Sequence, residues 1–135
     1  EDVGCLPFMV DNTTVIKRFV TVLGLDTMKA RKIVWNKLQG KVPLLVDGRI
    51  GGQVIRVFSV RNDYVSEEYY KKYLYSDEEG SDMPCSERGV SDVSFFVAGM
   101  IGRAVRMFVS HNKIIGEACF DARTFTFYTT NDEEA

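Results

Sequence analysis

In the stretch VLGLDTMKARKIVW, Asp26 and Arg31 have the residue types and placement that could do chemistry. Asp26 stands where an apolar, β-type run gives way to a basic, helix-forming segment. In open α/β sheets ligands bind beyond the carboxyl ends of strands, where loops lead into helices. A carboxylate at that point can hold a magnesium ion and, through it, orient a nucleotide phosphate. It can equally serve as a helix N-cap, accepting a backbone N–H and meeting the positive end of the helix dipole. Arg31, five residues on, could meet a phosphate or an acidic neighbour, or lie on a solvated helix face.

Other candidate groups are fewer. GRIGG, residues 48–52, suggests phosphate binding, but it leads into QVIRVFSV, which reads as a strand. A phosphate-cradling loop should open onto a helix N-terminus, so a tight turn is the better reading. Asp47 and Arg49 then flank the turn as a local ion pair worth little. Cys85 follows Pro84 in an acidic stretch, with Arg88 nearby and a helix expected just beyond. A thiol beside a cation and a helix N-terminus can be activated as a nucleophile, and it can also be an inert loop cysteine. Cys5 and Cys119 read as edge or core fillers, and His111 as a surface-turn residue. Structural zinc wants four ligands, commonly with a close cysteine pair, which three scattered cysteines and one histidine do not offer.

The elements that must position these groups follow from periodicity. TTVIKRFVTVLG (13–24) is β-branched and aromatic, as strands are. From Thr27 to Leu38 the apolar positions Met28, Ile33, Val34 and Leu38 recur at helical spacing with Trp35, and Gly40 is a natural stop. KVPLLVDG reads as a buried strand. QVIRVFSV puts Val54, Arg56 and Phe58 on one face and Ile55, Val57 and Ser59 on the other. SEEYYKKYLY (66–75) starts with a cap-type serine and acids and suits a short helix, though its four tyrosines also suit a strand. Residues 76–92, SDEEGSDMPCSERGVSD, are an acidic loop longer than most connections. VSFFVAGMIGRAVRMFV (93–109) carries the stripe Val93, Val97, Met100, Ile101, Ala104 and Phe108, a helix packed hard against a sheet or a partner. KIIGEACFD and RTFTFYTT are expected to form a C-terminal hairpin turning around Asp121 and Ala122, before a frayed NDEEA tail. The order β, α, β, β, α, loop, α, β, β fits a single α/β domain over residues 1–135 with a mixed sheet.

Composition sets outer limits. The 135 residues are 45% apolar and 27% charged, with nine Phe, six Tyr and one Trp, as in a folded globular domain. A formal charge of −2 gives no general attraction for nucleic acid, and Lys29, Arg31 and Lys32 can form the wet side of one helix. No apolar run reaches the roughly 20 residues that cross a bilayer, and the first residues lack a basic n-region. No membrane partner is expected. With an odd set of well-separated cysteines, a cytoplasmic protein is expected.

The succession LGLDTMKARKIVW, VPLLVDGRIGGQVIRVFSV, an acidic loop with PCSERG and a glycine-containing apolar helix resembles the later half of ThiF-like proteins, relatives of the ubiquitin-activating E1 enzymes. The similarity spans about Val15 to Phe127. Its most specific parts are the D-x-x-x-x-R spacing of Asp26 and Arg31 and the VDGRIGG segment. The resemblance implies a partial Rossmann-like fold with a mixed sheet, a long buried helix and a C-terminal β-hairpin, with residues 76–92 as a crossover loop. It implies an adenylyltransferase using ATP and magnesium to activate the C-terminal carboxylate of a small ubiquitin-like or sulfur-carrier protein. It assigns magnesium to Asp26, nucleotide binding to Asp26 and Arg31, and possible acyl capture to Cys85. Thr27 stands where the family usually has asparagine. No G-x-G-x-x-G turn precedes Asp26, so the isolated chain is expected to have little or no adenylating activity, whether it is a fragment, a half-domain, or completed by another chain. The competing expectation is a non-catalytic binding or assembly module, a homodimer in which the AGMIG helix and the tyrosine-rich segment bury against another copy.

Overall fold

A computed structural model describes residues 20–25, 27–74 and 91–130. They form a mixed α/β arrangement of one five-stranded sheet and three helices. The order is β1 (Val20–Leu23), α1 (Met28–Leu38), β2 (Leu44–Gly51), β3 (Val54–Arg61), α2 (Tyr64–Lys71), α3 (Ser91–His111), β4 (Glu117–Asp121) and β5 (Thr126–Thr130). The strands lie in the sheet in chain order. β1 and β2 are parallel and joined by α1, and every later pair is antiparallel.

Helix α1 begins because Thr27, in extended conformation, accepts a hydrogen bond from the Ala30 N–H on its Oγ1 at 3.1 Å. The cap expected at Asp26 is therefore Thr27. Asp26 itself lies outside the described residues. The helix ends before Gly40, whose φ of +69° is costly for residues with a Cβ. Helix α2 starts earlier than its serine suggested, because Asp63 caps it by accepting from the Ser66 N–H at 2.8 Å.

The glycine-rich stretch 48–52 is mostly strand. Gly51 pairs with Val54, so only Gly52 and Gln53 make the turn, with Gly52 at φ +63°. Asp47 and Arg49 consequently belong to the interior of β2 rather than to a turn.

Side-chain alternation then builds two cores. Leu45, Phe58 and Val60 face α1 and α2, where Leu23, Val34, Trp35, Leu38 and Tyr70 complete one cluster. Leu44, Val46, Ile55 and Val57 face α3 and meet Val93 and Phe108. Gly48 lets α3 sit close, since a Cβ there would lie 2.6 Å from Ile101 Cδ1. The expected inward stripe of α3 is present, but the expectation of a long buried helix is corrected. Covered along one side, α3 leaves Phe95, Ala98, Gly99, Gly102 and Val109 exposed. Over Asp92–His111 it also has the length and, at 1.4, the mean hydropathy of a membrane span, which no run in the sequence was expected to reach. The terminal hairpin forms with Ala122–Phe125 as its connection, and β5 is exposed along most of its length.

Candidate functional site

Strand β2 places Leu45, Asp47 and Arg49 on the α1 and α2 side. Of these, Asp47 is wholly buried. A carboxylate removed from water needs partners for its lone pairs, and three donors converge on it. Arg31 Nε donates to Oδ1 at 3.1 Å, while Arg49 Nε and the Tyr70 hydroxyl donate to Oδ2 at 2.8 and 2.9 Å. Arg31 can do this because α1 turns Met28, Arg31, Trp35 and Leu38 inward. Its Nη2 donates to the Leu25 carbonyl, tying the chain just after β1 to the middle of β2.

Arg49 completes the arrangement. Its Nη1 donates to the Tyr73 carbonyl at 2.8 Å, and its guanidinium lies 4.6 Å from the Phe58 ring centroid and 5.6 Å from that of Tyr70. Its buried Nη2 finds no hydrogen-bond partner among the described residues. Two guanidinium groups thus share one buried carboxylate.

A second carboxylate repeats the theme across the sheet. Glu117, also buried, accepts from Arg56 Nε and from the Tyr69 hydroxyl, each at 2.7 Å. The registers Asp47↔Phe58 and Phe58↔Glu117 put the ring of Phe58 between the two acids, while Arg49 and Arg56 are directly cross-strand. Like charges in that position repel. Here each arginine turns to its own acid, and both stack on Phe58, Arg56 at 5.2 Å.

The Tyr70 hydroxyl is held in its neutral form: burial raises its pKa, and the Asp47 carboxylate beside it raises it further. A group whose pKa is higher folded than unfolded stabilises the fold fully below its unfolded pKa and loses that contribution as pH rises past it. As pH rises above about 10, Tyr70 is therefore expected to cost the fold stability at a slope that climbs toward about 1.4 kcal/mol per pH unit. Urea unfolding of the parent and Tyr70→Phe chains at stepped pH should show a shallower decline in the variant. Parallel declines would remove this role for Tyr70.

No protein-family model matches the chain, and no curated protein matches it.

Among the sequence candidates, Arg31, Asp47 and Arg49 come together, and Asp26 and Cys85 lie outside the described residues. Cys119 is buried in β4, and His111 is exposed at the end of α3. Tyr70, Arg56 and Glu117 were not singled out by spacing. Among the described residues, no three His, Cys, Asp or Glu side chains stand close enough to hold a metal ion. With Arg31 turned onto Asp47 and Leu25, the described residues do not by themselves form a site for magnesium or a triphosphate. What they form is a buried ionic frame at the end of the parallel unit.

Proposed function

We propose that the chain is the later segment of an E1-like, ThiF-type adenylyltransferase, which activates the C-terminal carboxylate of a small carrier protein at the expense of ATP. The observation that carries this reading is the Arg31–Asp47–Arg49 network. It joins the two segments on which the resemblance rests, LGLDTMKAR and VDGRIGG, through buried charge-assisted hydrogen bonds. In this reading Arg31 is a positioning residue: it ties Leu25, the residue before Asp26 in the sequence, to Asp47. Asp26 is the proposed magnesium ligand, and Cys85 the candidate for taking the acyl group. The Rossmann-like character of the fold, a cytoplasmic setting, and a ubiquitin-like or sulfur-carrier partner belong to the same proposal.

The G-x-G-x-x-G turn that cradles a nucleotide's phosphates in such proteins does not occur in these 135 residues. β1 pairs only with β2 among the described residues, so its other edge is where a nucleotide-binding half would add. The test is magnesium-dependent ATP–pyrophosphate exchange. It should be weak or absent in this chain alone and present in the complete protein, where Asp26→Asn should lower it on the order of 100-fold, the scale seen when one transition-state contact is lost. Equal exchange by the variant would remove Asp26 from the chemistry. The outward apolar face of α3 favours a second reading, a non-catalytic assembly module, under which the complete protein shows no exchange at all.

A further inference from the structure

Helix α3 departs from the pattern of a surface helix, which carries polar residues on its solvent side. Its face turned away from the sheet carries Phe95, Ala98, Gly99, Gly102, Arg106 and Val109, with Phe95 80% and Val109 62% exposed. Beside its first half the aromatic surface continues. Phe96 packs on Phe120 at 4.8 Å, and Phe120 meets Phe125 and Phe127 on the hairpin, both largely exposed. Between α3 and the hairpin runs an apolar groove of about 320 Å³, floored by Val57 and Ala118. The tyrosine-rich segment, by contrast, turns Tyr70 into the core and half-buries Tyr69 and Tyr73.

We infer that this face docks a second copy of the same chain, with the two α3 helices antiparallel about a two-fold axis near Gly99 and Gly102. The inference is independent of the activation chemistry proposed above. Charge selects the occupant and its direction. The first half of the exposed surface carries Asp92 and the phenylalanines, and the second half carries Arg103, Arg106 and His111. Antiparallel pairing lays the arginines of one copy over the aromatic cluster and Asp92 of the other, which favours cation–π and ionic contact. Parallel pairing would set arginine against arginine. The area also suffices. At about 200 Å² per aromatic side chain, the exposed parts of Phe95, Phe96, Phe125 and Phe127 present roughly 500 Å² per copy. Counted for two copies, this reaches the ~1,000 Å² at which specific interfaces begin. At the axis, a Cβ at Gly99 or Gly102 would meet nothing within 4 Å, which leaves room for the partner backbone.

Sedimentation velocity on the chain at about 1 to 50 µM should show a dimer, and Phe95→Lys, which sets a cation against the partner's arginines, should weaken it by at least about 30-fold. Circular dichroism and urea unfolding of that variant must match the parent, since Phe95 is outside the core. Oxidative cross-linking then reads the direction: Gly102→Cys, near the axis, should give a covalent dimer, whereas Asp92→Cys, far from its own copy, should not. A monomer at 50 µM overturns the inference, as does a dimer indifferent to Phe95→Lys or cross-linked equally at position 92. A monomer that co-sediments with phosphatidylserine-containing vesicles would assign the face to a lipid surface instead.

Discussion

Replacing Asp47 by asparagine is expected to cost the fold about 3–5 kcal/mol, the scale for breaking a buried ion pair from one side. The substitution leaves Arg31 and Arg49 as two buried cations with no opposing charge, and it turns an amide donor toward groups that are all donors. Against a typical domain stability of 5–15 kcal/mol, this would leave a marginal protein. Urea unfolding followed through Trp35, the sole tryptophan, is a direct readout, because its ring lies 5.0 Å from that of Tyr70 within the affected layer. A loss below about 1 kcal/mol would mean that water already reaches the network. The cost belongs to the unpaired charges rather than to the site as such. Replacing Asp47, Arg31 and Arg49 together by Leu, Met and Met should therefore restore most of the stability. Restored stability without restored pyrophosphate exchange in the complete protein would separate the network's part in the proposed activity from its part in the fold.

The same network explains what could and could not be read from the chain. Element order was legible because it rests on local periodicity: the alternation in QVIRVFSV sends Ile55 and Val57 to α3 and Phe58 to α2, as the structure has it. The role of Asp47 was not legible, because Gly48, Gly51 and Gly52 beside it look like a loop. Its partners Arg31 and Tyr70 also stand 16 and 23 residues away. One signal was present: in PLLVDGR, Asp47 lies two residues after Leu45 and two before Arg49, the repeat of one strand face. In α1, the three-residue spacing from Met28 to Arg31 likewise put the arginine among inward positions. The outer face of α3 was legible only in part. The stripe of Val93, Val97, Ile101 and Phe108 marks the side that meets the sheet, but local spacing does not say what meets the other side.

Phe58→Ala is expected to be comparably damaging, and for a reason beyond its volume. The side chain is wholly buried, and removing a buried phenylalanine ordinarily costs about 3–5 kcal/mol through lost transfer energy and the cavity left behind. Phe58 also offers its ring to both Arg49 and Arg56, which face each other across β2 and β3. Each such contact is worth about 0.5–2 kcal/mol when shielded from water. Without the ring, the two guanidinium groups gain a cavity and lose the aromatic surface on which both stack. Phe58→Leu, which fills much of the space, is expected to recover the packing part and not the cation–π part. Because Phe58 touches Arg49 and Tyr70, both bound to Asp47, Phe58→Ala and Asp47→Asn should not add. A double-mutant cycle by urea unfolding is expected to give a coupling of about 0.5–3 kcal/mol. Strict additivity would mean that the ring and the carboxylate act on Arg49 independently, and that the two acids of the sheet are held by separate frames rather than by one.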